Sequence, residues 1–153
     1  MKGFFAIIIL CFVSLSFETS AYGKQFNSDL KNYNVKLQIF DKSQKISEFL
    51  VAVARDNAAR EYGLMNLGNL DQKYGMLFLF DDAKVVNMWM KNTLIPLDMI
   101  FIDEKNNIVN IKEGAIPMSL DIISSQKVVK KVLEINGGLS KKLGIKNGQR
   151  IFY

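Results

Sequence analysis

The chain has 153 residues, 49% of them hydrophobic, and 20 basic against 15 acidic side chains give it a net charge of +5, with one cysteine and no histidine. That length suits one domain, since domains commonly run to about 100 to 200 residues. The missing histidine excludes Cys/His zinc sites, Cys/His nucleophilic pairs and a Ser/His/Asp triad. The lysines are scattered and no nucleic-acid motif accompanies them, so the charge reads as a solvated surface with some attraction to anionic envelope material, and nucleic acid is not expected as a partner.

Lys2 precedes an apolar block from Phe4 to Phe17 and the small residues Thr19-Ser20-Ala21, the layout of a secretory signal cleaved after Ala21. The block is short of the roughly 20 apolar residues that a spanning helix needs. No stable membrane span is therefore expected after cleavage, the alternative being an uncleaved signal that anchors the chain. Cys11 follows Leu10, where a lipoprotein signal wants a small residue, so lipidation is not expected. Cleavage takes 21 of the 153 residues and leaves 132, without a thiol and with the same charge, because Lys2 and Glu18 leave together. The expected address is periplasmic or secreted, and packing alone must stabilise the fold.

Residues 22–34 form a polar lead without periodicity, read as a flexible arm, and residues 35–153 a single domain. "VKLQIF" alternates with Val35, Leu37 and Ile39 on one face, and with the turn "DKSQK" and the run "FLVAVA" it predicts a hairpin. Asp56 is placed to cap a short helix over Asn57 to Tyr62 that stops near Gly63. "YGMLFLF" reads as a central strand, Asp81-Asp82 as a turn, and "VVNMWM" as the next strand. "LDMIFID", "EKNN" and "IVNIKE" predict a second hairpin, followed by the long loop "GAIPMSLDIISSQ". "KVVKKVLEIN" is β-branched and ends at a glycine pair, which favours strand; "LSKKLGI" predicts a short helix stopped by Gly144, and "QRIFY" a last strand. About seven strands and two short helices give an α+β domain of mainly antiparallel sheet curled into a partial barrel.

The candidate site lies in "MWMKNTLIPLDMIFID", residues 88–103, where polar residues interrupt an apolar segment. Pro96 removes a backbone donor and forces Ile95 out of helical conformation, so the chain must leave the sheet and return. Lys91, Asn92 and Thr93 sit in that crossing, and Trp89, the only tryptophan, precedes it. Asp98, if it points inward, needs a partner, for which Arg60, Lys91, Asn92 and Thr93 are candidates. Arg60 is one of three arginines, and its planar fork suits a carboxylate, whether a ligand's or that of Glu134 or Asp98. Glu134, between Leu133 and Ile135, faces away from both and is expected to be solvated or paired with a lysine. Ser124 and Lys127 match a Ser-x-x-Lys spacing, but in a loop-to-strand context instead of the helix that this chemistry needs.

The segments "REYGLM", "GMLFLF", "MWMKNTLIPLDMIFID" and "VLEINGG…GIKNGQ" together resemble the prokaryotic family known as domain of unknown function 192 (DUF192), over roughly Val35 to Phe152. The family pattern falls here on Arg60, Gly63, Leu64, Met65, Gly75, Met76, Trp89, Met90, Lys91, Asn92, Thr93, Pro96, Asp98, Glu134 and Gly138. The resemblance implies a compact β-rich α+β domain, often behind a signal peptide or membrane anchor, and no established activity. The segment "AIPMSLDIISSQKVVKKV" departs from the family's more proline- and glycine-rich loop, which leaves a loop-borne part of any site unsupported.

The expectation is thus an exported, monomeric envelope binding or accessory module without a cofactor or a metal. It would recognise a small polar or anionic ligand, or a partner segment, through Arg60, Trp89, Lys91, Asn92, Thr93, Asp98 and Glu134. Two alternatives stay open: a hydrolase of envelope polymers in which Asp98 and Glu134 act as acid and base, and a structural or interaction protein whose polar residues only lock the loop.

Overall fold

The computed structural model describes residues 33–153, so the signal and nearly all of the polar lead lie outside the described residues. Strands β1 (Val35–Asp41) and β2 (Gln44–Ala54) form the expected antiparallel hairpin. Alternation decides the facing of β1: Leu37 and Ile39 are wholly buried, while Lys36, Gln38 and Phe40 between and beside them face the other way. Helix α1 (Asn57–Tyr62) is capped as its sequence predicts, with the Asp56 carboxylate accepting from the Ala59 N–H at 2.8 Å. It leads into β3 (Tyr74–Met88), which pairs in parallel with β2. Strands β4 (Leu97–Ile102), β5 (Ile108–Ala115) and β6 (Ile123–Asn136), the short helix α2 (Leu139–Leu143) and β7 (Arg150–Phe152) complete the domain.

The seven strands make one mixed, mostly antiparallel sheet in the order β5-β4-β6-β3-β2-β1-β7. The sheet curls until its ends meet, where the Ile108 N–H donates to the Gln149 carbonyl at 2.8 Å and the Ile151 N–H to the Asn106 carbonyl at 3.0 Å. This is the expected α+β half-barrel. Inside the curl lies one apolar cluster, including Leu37, Phe49, Leu77, Ile100, Leu133 and Ile151. A second lies on the outer face of β3, β4 and β6, where Leu64 and Leu70 from the segment after α1 cover Phe78, Met99, Phe101 and Val132. With apolar layers on both sides, all six residues of β4 are buried, which is why "LDMIFI" is apolar nearly throughout.

One expectation fails. Asp81 and Asp82 do not form a turn between two strands, because β3 runs extended through both. The five-residue step from Leu79 to Lys84 spans only two residues of β6, Lys131 to Val129. The excess is taken up as a wide bulge with the two aspartates in solvent. A bulge adds residues to one strand and bends it without ending the pairing; from sequence, its exposed acidic pair is indistinguishable from a turn.

Candidate functional site

Arg60 holds the β3 bulge against α1. Its guanidinium donates to the carbonyls of Arg55 at 2.6 Å and Leu79 at 2.7 Å and to Asn57 Oδ1 at 2.6 Å, lies 3.8 Å from the Asp81 carboxylate, and sits 5.4 Å from the centre of the Phe80 ring. Its acidic partner is therefore Asp81, and neither Glu134 nor Asp98. Because its donors are engaged by the backbone and Asn57, Arg60 contributes a fixed positive charge and a fixed position for Phe80.

The crossing from Trp89 to Pro96 is stitched at both sides. Asn92 adopts a left-handed φ of 53°, and its carbonyl accepts from the Asn66 N–H at 2.8 Å. The Thr93 carbonyl accepts from the Met118 N–H at 3.0 Å, and the Met90 N–H donates to the Ser119 carbonyl at 3.0 Å. Pro96 ends the crossing by packing on Gly137, where an added Cβ would come within 2.9 Å of the proline ring. Asparagine tolerates the left-handed region better than most residues, so Asn92 serves here mainly through its backbone, while its Nδ2 donates to the Met65 Sδ at 3.9 Å.

Between α1, the bulge and this crossing lies an open cavity of about 200 Å³, smaller than the roughly 300 to 1,000 Å³ of pockets for drug-sized ligands. Its walls include Met65 and Phe78, with Phe80 and Met88 from β3; Arg60, Trp89, Lys91, Thr93 and Glu134 also line it. Trp89 is 43% exposed. The Lys91 ammonium lies 5.3 Å above the Trp89 ring and makes no hydrogen bond or ion pair among the described residues.

Glu134 is the unusual member. It alternates with Leu133 and Ile135, which face the interior of the curl, so its side chain emerges on the opposite face, flanked in register by Met76 of β3 and Met99 of β4. It is only 4% exposed, and its carboxyl has no hydrogen-bond or salt-bridge partner among the described residues. Burial among apolar neighbours pushes its pKa from 4.5 up to about 8. The expectation of a solvated or lysine-paired glutamate is corrected: strand alternation put it on the right face, but that face is covered by the segment after α1.

Asp98 is elsewhere. It stands opposite Ile135, on the face away from Glu134, and is wholly buried. Its Oδ1 accepts from the N–H groups of Gly114 at 2.8 Å and Gly138 at 2.9 Å, and its Oδ2 from the Ser140 N–H at 2.8 Å and Oγ at 2.7 Å. That carboxylate knots β4, the end of β5 and the start of α2, and it does not line the cavity. Its partners are none of the residues that sequence suggested, and the Asp98–Glu134 pair that a polymer hydrolase would use does not converge. The structure therefore brings Arg60, Trp89, Lys91, Thr93 and Glu134 together and leaves out the side chains of Asn92 and Asp98. It adds Phe78 and Phe80, which carried only a core-strand signal in sequence, and Met65 and Met88, which lay in the family pattern and in the candidate stretch without being assigned a role. Among the described residues, no three acidic, histidine or cysteine side chains group to hold a metal ion, and no helix is long and apolar enough to cross a membrane.

Among the solved structures similar to this chain are two that share more than 30% of its sequence. A protein of unknown function from Novosphingobium aromaticivorans DSM 12444 is 34% identical, with a TM-score of 0.75 over 78% of this chain and 84% of that one. A protein from Sinorhizobium meliloti 1021, provisionally described as a transcription regulator, is 40% identical, with a TM-score of 0.74 over 76% of this chain and 91% of that one. No curated protein matches. A family model described as uncharacterized ACR matches residues 38–153, and the chain accordingly belongs to the DUF192 family.

Proposed function

We propose that this chain is an exported envelope module that binds a small polar ligand in the cavity between α1, the β3 bulge and the Trp89–Pro96 crossing. The observation that carries the reading is Glu134, a buried carboxyl without a partner at an open cavity. Its oxygens keep a little surface in the cavity, since Ser47 Oγ is the fully buried side-chain polar atom without a partner among the described residues; a nearly buried acid that no protein group pairs is costly, and a ligand entering the cavity supplies the missing partner. Three further features support it. Trp89 exposes part of its ring, Lys91 holds an unpaired cation beside it for an anionic group, and Arg60 fixes the positions of α1 and Phe80. Asn92 and Asp98 act differently, as locks that hold the crossing and α2 in place.

The test is thermal unfolding of the full-length chain against organic acids, amino acids, sugars, nucleotides and short peptides, with Lys91→Ala and Trp89→Ala in parallel. A ligand of the folded state raises the melting temperature by mass action. The expected result is a rise for at least one class that both substitutions reduce. No rise with any class, from variants that fold normally, refutes the proposal.

A further inference from the structure

The chemistry of the cavity narrows the ligand, provided that the binding reading above holds. We propose that the cavity takes a small amino-acid-like zwitterion, its ammonium group against the Glu134 carboxyl and its anionic group at Lys91.

At the buried end, the group that best compensates an unpartnered carboxyl is a cationic donor, because it lets the acid ionise and forms a charge-assisted hydrogen bond. The walls agree with a cation. Aromatic faces attract positive charge, and in this protein they already do so: Lys91 lies over Trp89, while Arg60 and Lys84 lie over Phe80 at 5.4 and 5.8 Å. At the mouth the balance reverses. The charged and titratable groups lining the cavity besides Glu134 are Arg60, Glu61 and Tyr62 on α1 and Lys91 on the crossing, while β3 and β4 set only Met76 and Met99 beside Glu134. Asp81 already matches Arg60, so Lys91 is the cation at the mouth that no acidic side chain pairs, and a ligand that brings its own negative charge satisfies it where a bare amine does not. Lys91, unpaired, is placed to receive it. The volume of about 200 Å³ suits a group the size of a single amino acid.

Such binding displaces a proton. Glu134 holds its proton up to a pH of about 8 in the empty cavity and gives it up when it pairs with an ammonium group. The proton passes to solvent, and no covalent bond changes.

The experiment is titration calorimetry of the full-length chain at pH 7 in phosphate and in Tris, whose different heats of ionisation reveal protons exchanged on binding. The probes are glycine, L-leucine and 6-aminohexanoate, which separate their charges by different lengths, then N-acetyl-L-leucine and L-leucine methyl ester. Succinate, glucose and AMP represent other ligand classes. The expected result is binding of a zwitterion with release of close to one proton, as the raised pKa requires, loss of at least tenfold in affinity on N-acetylation, and weaker binding of the ester. Glu134→Gln, equal in shape, abolishes the proton release and weakens binding at least tenfold; Lys91→Ala weakens binding but keeps the release. Binding of succinate, glucose or AMP in place of the zwitterions, or zwitterion binding without proton release, overturns this inference and leaves the pocket standing. Silence from every probe overturns both.

Discussion

Replacing Glu134 by glutamine should change the pH dependence of stability more than any other single substitution. In the folded chain the Glu134 carboxyl keeps its proton up to a pH of about 8, whereas the unfolded chain loses it near the ordinary value of 4.5. Between those limits unfolding releases a proton, so raising the pH favours the unfolded state, and stability falls steadily before levelling off above 8. The gap of 3.5 pH units, at about 1.4 kcal/mol per unit, amounts to about 5 kcal/mol. Against a typical domain stability of roughly 5 to 15 kcal/mol this is a large fraction. Lys131, whose pKa burial lowers from 10.5, acts with the opposite sign as the pH becomes alkaline, and no histidine titrates in the window. The carboxylates with lowered pKa titrate on its acid side: Glu48, held down to about 2 by Gln38, Lys45 and Lys36, and Asp41, lowered by Lys146 and Gln149. Their stabilisation is present above the ordinary carboxylate range and lost as pH falls below it. Urea unfolding at half-unit steps from pH 5 to 9 reads the effect, with an expected fall in midpoint of roughly 2 to 3 M for the parent chain. In Glu134→Gln the slope should vanish, leaving the variant close to the parent at pH 5 and more stable by about 5 kcal/mol at pH 9. A parent chain whose stability is flat from pH 5 to 8, or a variant that keeps the slope, refutes the assignment of a buried and unpartnered acid.

Asp98→Ala should cost about 3 to 5 kcal/mol in urea unfolding, because it takes the acceptor from the buried Ser140 N–H and hydroxyl and from the part-buried N–H groups of Gly114 and Gly138; a loss under 1 kcal/mol refutes the knot. Gly75→Ala places a Cβ 2.7 Å from the Glu134 carbonyl oxygen and should destabilise by about 1 to 3 kcal/mol in the same assay. Arg60→Lys keeps the charge but loses the fork that grips Arg55, Leu79 and Asn57, so a loss of about 1 to 3 kcal/mol is expected. Trp89→Ala removes a ring that is 43% exposed; it should lower stability by less than about 1.5 kcal/mol while reducing the melting-temperature rise given by any ligand.

The fold was largely legible because its signals are local. Alternation in "VKLQIF", the Asp56 cap and the apolar runs of β3 and β4 each specify an element, and the structure contains them. The bulge was not legible, since it depends on how many residues of β6 face Leu79 to Lys84. That count belongs to a pairing between strands about 50 residues apart. The same limit explains the site. Sequence placed Arg60, Trp89, Lys91 and Glu134 among the residues of interest, but it placed Asp98 beside them as a further ligand-binding candidate and expected Glu134 to be solvated or paired with a lysine. Both are single acids inside apolar strands.

What separates the two acids is the neighbour that each strand face meets. Asp98 points to the side where α2 and the end of β5 offer four donors, and it is saturated. Glu134 points to the other side, where Met76, Met99 and the aromatic wall offer none. Registered strands carry this distinction: Asp98 lies opposite Ile135, so its neighbour Met99, and not Asp98 itself, shares a face with Glu134. A one-residue slip between β4 and β6 would have put both carboxyls on one face, where their repulsion would raise one pKa and favour a shared proton. The observed register instead divides the work, giving one acid entirely to the fold and leaving the other to whatever enters the cavity.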